Sequence, residues 1–429
     1  MNCYMAGAYR GSLVLSYIAL FDDLLVKLGE LANVNTIAKA IFLEASKKKG
    51  DQDVYESYLI DQLTSKSFIS GLDSSFLTTL RTLRNKSAHP SGHRPSAEEA
   101  RFVFFEVVDR FLSKPILSTT HLVDDLIARL KNTNFFPSTS ISDIRNVVRD
   151  ELATLHEEAI PQLVAKMSSA VHSTDSETKK NAGFFLIGLA KLDKPLANSA
   201  LQTKLIAAKA DDSAYHDVLT QVMSANGKLV SGLNGTTVVR LRAILATKIA
   251  EVTSALSETK LSHPTAVLAS IAAAIQEADF VLTFRPEIEA LFEKRAHSEF
   301  VVKLVTDKPS LLPIYIPILL SKAGSSDFAT ANSFSNAVDA LDASLSALLT
   351  DEQALHLVVA IIKAATWGAW SAKAVVGAKF AGTPFLRTKA LSFISMDEAT
   401  ATAYIEAKLG ESKPVSEFIA ANLTDEEPA

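Results

Sequence analysis

The chain has 429 residues, 48% of them hydrophobic and 21% charged, values of a folded protein whose length favours two or three domains. Its formal net charge of −5 gives no whole-chain basic field for nucleic acid or membrane, so a polyanion would have to be held by a local patch. The single cysteine, Cys3, excludes an internal disulfide framework and a cysteine-rich zinc site, and it fits a reducing, cytoplasmic setting.

Helical periodicity runs through nearly every segment. Residues 7–32 place Leu13, Tyr17, Leu20, Leu24 and Leu28 on one stripe, at spacings of three and four. The apolar part of that stretch, residues 12–21, lacks the basic flank of a secretory signal and runs into Asp22 and Asp23. Segments 54–63 and 74–86 repeat the helical pattern. Residues 96–112 open with a capping box: Ser96 caps the helix, and Glu99 reaches back to the Ser96 N–H. Phe102, Phe105, Val108 and Leu112 then make a broad apolar face, with Phe104 and Phe111 beside it. Short polar connections join these helices and predict an antiparallel bundle over residues 1–118, with its boundary within 113–121.

Residues 119–429 read as a second, wholly helical region. Loop signals break it at 134–143, 172–178, 193–195, 231–237, 262–264, 284–287, 308–310, 323–327, 381–384 and 411–414. Strand patterns are almost absent, so the fold class is all-α. Breaks recur about every 30–50 residues, which suggests stacked helical hairpins of HEAT or armadillo type. No repeated consensus accompanies them, and a non-repetitive multi-helix domain also fits. The apolar stretches 311–320 and 354–370 are short, or are interrupted by Pro313, Pro317, His356 and Lys363. They read as buried helices and not as membrane spans. Trp367 and Trp370, three apart, are expected in buried packing. Residues 231–237 carry two glycines and no lysine, so they form a loop and not a phosphate cradle. His172, Asp175 and Glu177 fit no metal geometry, and no cofactor motif is present, so neither metal nor cofactor is expected.

One stretch stands apart. Arg81, Arg84, Lys86, His89, His93 and Arg94 gather around a single proline-broken turn. Arg84 and His89 are five residues apart, and on a continuous helix their side chains would diverge by about 140°. Pro90 biases His89 out of the α region, so the helix is expected to end within Lys86–Ala88 and His89 to fold back beside Arg84. An imidazole and a guanidinium on one small volume suit phosphodiester cleavage by a ribose 2′-hydroxyl. Histidine titrates near neutral pH and moves the proton. Arginine stays charged and meets the negative charge that builds on the phosphoryl oxygens. No metal is required, and the substrate must be RNA. Acid and base together call for two histidines, supplied by His93 or by a second copy across a twofold axis. The same residues also suit an ordinary helix end, where Lys, Arg and His satisfy the last carbonyls. On that reading Arg81 and Lys86 are solvated helix-face charges, and His93 and Arg94 are loop residues.

The stretch RNKSAH (84–89) resembles the Rx4–6H motif of the HEPN superfamily, including the polar Asn85 after the arginine. Residues 7–28 are similar to the first long helix of bacterial HEPN domains, and residues 89–104 to their motif turn and final helix. The resemblance covers about residues 1–115 and leaves the remainder unassigned. It implies a helical bundle that dimerises and a metal-independent endoribonuclease of the kind found in toxin–antitoxin, abortive-infection and other antiviral-defence systems. It also implies catalytic roles for Arg84 and His89, with Asn85 positioning the site. Lys86, His93, Arg94 and Arg81 are then RNA contacts. The expected partners are RNA (tRNA among the candidates), a second copy through the bundle, and a protein bound by the C-terminal helical region. The competing expectation is a non-catalytic helical scaffold that uses the bundle to dimerise, which the acidic balance and the lack of a basic stripe favour. A third is an assembly protein built from Ala-rich helices.

Overall fold

The leucine stripe of the first long helix is the centre of the N-terminal bundle. The computed structural model describes residues 2–32, 35–66, 68–89, 92–114, 119–153, 155, 157–253, 256–410 and 414–424. Leu13, Tyr17, Leu20, Leu24 and Leu28 are all buried on α1 (Tyr9–Leu31). The chain continues through α2 (Thr36–Gly50), α3 (Tyr55–Ser65), α4 (Gly71–Ala88) and α5 (Ala97–Val107). α2, α4 and α5 pack directly on α1, and α3 bridges α2 and α4. One apolar cluster, running from Leu13 to Leu122, fills the space between them.

Local chemistry sets the helix starts. Asn35, Ser70 and Ser96 each accept a hydrogen bond from an N–H of the first turn that follows (Ala38, Asp73 and Glu99) at 2.8–3.1 Å. The end of α5 widens into a π-helical turn, Val108–Leu112. There the Lys27 ammonium donates to the carbonyls of Phe111 at 2.6 Å and Lys114 at 2.7 Å, a cation on a helix C-terminus. Arg10, near the start of α1, bonds the turn that precedes α5. α1 and α5 therefore run parallel, and α4 runs antiparallel to both.

Beyond residue 118 the packing changes character. α6 (Thr119–Arg129), α7 (Ile141–Leu152), α8 (Ile160–Ala170) and α9 (Ser176–Leu192) pack each on the helix two places on, α6 with α8 and α7 with α9. The chain forms two compact units, Met1–Ala200 and Leu201–Ala429. The second unit holds α10 (His216–Ala225), α11 (Gly235–Ala250), α12 (Pro264–Ala274), α13 (Glu277–Arg295), α14 (Glu299–Asp307) and α15 (Leu312–Ala323). It ends with α16 (Phe328–Leu348), α17 (Asp351–Trp367), α18 (Trp370–Gly377), α19 (Pro384–Met396), α20 (Glu398–Leu409) and α21 (Val415–Asn422). From α10 to α19 every helix again packs on the one two places on. That alternation is how stacked helical hairpins bury two layers.

The all-α expectation holds, and among the described residues there is no strand. No helix among them is long and apolar enough to cross a membrane. The loop expected at 284–287 is absent: α13 runs through Pro286. Phe280, Phe284, Ile288, Leu291 and Phe292 bury one face along its whole length, and that packing outweighs the one backbone donor the proline lacks. The expected loop at 411–414 falls mostly outside the described residues. Asp175 and Asn234 serve as helix caps, accepting from Thr178 N at 2.7 Å and Thr237 N at 2.9 Å.

Two tests follow from this packing. A Cβ added at Gly188 on α9 would meet Val148 at 2.7 Å and Ile144 at 2.9 Å on α7. Gly188→Ala should therefore lower the unfolding free energy by about 1–3 kcal/mol in a urea titration. In the second unit, burial holds the imidazoles of His263, His297 and His356 below their ordinary 6.5. The unfolded chain then binds protons that the folded chain does not, so stability should fall as pH drops below 6.5. His263 Nδ1 accepts from Thr265 N at 3.2 Å, capping α12. His263→Asn keeps that acceptor and removes one titration. Urea titrations at about pH 7 and pH 5.5 should show a smaller loss in the variant.

Candidate active site at the end of α4

α4 ends where the sequence places its stop. Its last residue is Ala88, and His89 follows in extended backbone, φ −87° and ψ 136°. That is the conformation a residue preceding proline is driven into. Pro90 and Ser91 lie outside the described residues. The chain then returns to the helix: Gly92 N donates to His89 O at 3.0 Å, and Gly92 packs on the Lys86 carbonyl. A Cβ built on Gly92 would lie 1.8 Å from Lys86 O, so only glycine fits this approach. Arg10 closes the turn from α1. Its guanidinium donates to Gly92 O at 2.7 Å and to His93 O at 3.0 Å.

The basic side chains around this turn differ in what holds them. Arg84 lies over the ring of Tyr17, 5.0 Å from its centroid, and donates to Asn85 Oδ1 at 3.0 Å. The ring is a neutral partner: burial first, and the Glu56 carboxylate next, push the Tyr17 phenol well above its ordinary range. A buried π face beneath a guanidinium fixes its plane without neutralising its charge. Arg81 donates to Ser57 Oγ on α3. His93 Nε2 sits 2.8 Å from both carboxylate oxygens of Glu99. His89, Asn85, Lys86 and Arg94 are exposed.

Two expectations about α5 are corrected. Ser96 does cap the helix, but Glu99 turns away from the Ser96 N–H and takes the His93 imidazole instead. The imidazole, delivered by the turn, takes the carboxylate in place of the backbone amide. The apolar face of α5 is also rotated. Ala100, Val103 and Val107 are the buried residues, whereas Phe102 is 57% and Phe105 60% exposed and Val108 is exposed beside them. The smaller side chains allow α5 to approach α1 closely, and the phenylalanines are left on the outer surface. Between α1 and α5 opens a groove of about 420 Å³, lined by Cys3, Leu15, Ala19, Phe104 and Val108.

Arg10, Tyr17 and Gly92 carry the geometry of the turn, and none of them stands out in the sequence as a site residue. Tyr17 reads as one more member of the α1 stripe. Arg10 is the one cation in the first turn of an apolar helix, and that was the available signal. Arg10→Ala removes two charge-assisted bonds to carbonyls and should cost about 1.5–3 kcal/mol in a urea titration, with faster protease nicking near residue 92. No protein-family model matches this chain, and no curated protein matches it in sequence.

Proposed function

We propose that the bundle of residues 1–118 is a metal-independent endoribonuclease of HEPN type. His89 moves the proton of a ribose 2′-hydroxyl, Arg84 binds the scissile phosphate, and Asn85 positions the guanidinium. The observation that carries the reading is the end of α4, where an extended His89 leaves the helix with an exposed imidazole, one turn beyond an arginine stacked on Tyr17. The 2′-oxygen attacks phosphorus, the 5′-oxygen leaves, and the products are a 2′,3′-cyclic phosphate and a 5′-hydroxyl. One imidazole takes the first proton and another supplies the second. His93 is held by Glu99, so the second imidazole comes from His89 of a second copy. The outward stripe of Phe102, Phe105 and Val108, beside the α1–α5 groove, is the apolar surface that such a dimer would cover. Lys86, Arg94 and Arg81 extend the cationic surface toward the RNA, tRNA included. The helices from residue 119 onward bind the partner or trigger that restrains the nuclease, as expected of a toxin or antiviral-defence effector acting in the cytoplasm.

The same apolar stripe also favours the second reading, a scaffold that dimerises through the bundle and cuts nothing. Activity separates the two. In EDTA, purified protein should cleave total RNA or tRNA, and Arg84→Ala and His89→Ala should each lower the rate by about 100-fold or more. Phe105→Glu should yield monomers in sedimentation and lose activity with them. If the alanine variants cut as fast as the parent, the scaffold reading stands instead.

A further inference from the structure

We propose that the corner between α17 and α18 binds single-stranded nucleic acid, with bases stacked on Trp367, Trp370 and Phe328 and phosphates held by Lys363 and Lys373. This surface lies in the second unit, and the argument for it does not depend on ribonuclease activity.

The expected burial of the two tryptophans is overturned. Trp370 is 77% and Trp367 46% exposed. They do not share one helix. α17 stops at Trp367 in a Schellman turn: Gly368 N donates to Ala365 O and Ala369 N to Ala364 O, both at 3.0 Å. Gly368 takes φ +118°, a left-handed conformation that favours glycine. The chain reverses and Trp370 opens α18, anchored by Ser371 N donating to Asn332 Oδ1 at 2.8 Å. Phe328, 48% exposed at the start of α16, lies against Gly368. Three aromatic side chains thus crowd one surface corner.

A bare aromatic patch does not by itself say what covers it, but the charges here do. Lys363 stands 4.8 Å from the Trp367 ring centroid, and Lys373 is exposed one turn beyond Trp370. Neither is paired with a carboxylate among the described residues. Asp327, which precedes Phe328, is committed to capping α16 through Thr330 and Ala329. Exposed rings interleaved with unpaired lysines fit a polymer that alternates π faces with negative charges, and stacking on them is indifferent to base identity.

Trp367 and Trp370 are the two tryptophans of the chain, so intrinsic fluorescence reports on this corner alone. The probe is an oligodeoxythymidylate of about twelve nucleotides, which has no 2′-hydroxyl and is not cleaved by the route proposed above. It should quench the tryptophan emission of the full chain on titration. With a labelled form of the same probe, Trp370→Ala should weaken binding about 5- to 150-fold, and Trp370→Phe should restore most of it. Lys363→Ala should reduce the slope of log affinity against log salt by about 0.7. Unquenched emission, or a Trp370→Ala chain that binds like the parent, overturns the proposal. So does a blue shift produced by phosphatidylserine vesicles with none produced by the oligonucleotide, which would assign the corner to a membrane surface.

Discussion

A single guanidinium ties the first helix of this protein to the turn that follows α4. Arg10 donates to two carbonyls, of Gly92 and His93, more than eighty residues away in sequence. Two short-range constraints act with it: His89 precedes a proline and leaves the helix in extended backbone, and Gly92 lies so close to Lys86 O that no side chain is tolerated. Together they hold the returning chain against the last turn of α4 and leave the His89 imidazole exposed. Any reading of the site, catalytic or not, starts from that turn.

Electrostatics explain how an acidic chain maintains a cationic surface there. The basic residues gathered at the turn are not equivalent. Arg81 is bound to Ser57 and His93 to Glu99, so both serve the fold first. Arg84 is oriented by an aromatic face and an amide oxygen, neither of which cancels its charge. The Arg84 guanidinium is therefore oriented without being neutralised, and it stays available to an anion. The π face that sets the guanidinium plane belongs to α1, the same helix whose leucines fill the core, so packing and site geometry are one construction.

Much of this was legible in residue order. The stripe on α1, the stop of α4 before Pro90 and the cap at Ser96 all follow from local rules, and all are present. What local rules miss are choices settled by neighbours far along the chain. Glu99 prefers an imidazole to a backbone amide because the turn delivers His93 to it. α5 buries valines and not phenylalanines because closeness to α1 decides which face turns inward. Trp367 and Trp370 look like neighbours on one helix until Gly368 ends it. The alternating packing from α10 to α19 is likewise invisible as a consensus, since each pair of helices buries a different set of side chains.

The most direct test is the chemistry of the RNA ends. If an imidazole and a guanidinium at this turn promote attack by the neighbouring 2′-hydroxyl, fragments made by the purified protein in EDTA carry a 2′,3′-cyclic phosphate and a 5′-hydroxyl, and a single 2′-deoxy substitution at the cut site abolishes cleavage there. Fragments ending in a 3′-hydroxyl and a 5′-phosphate, or cleavage that ignores the deoxy substitution, would contradict the account.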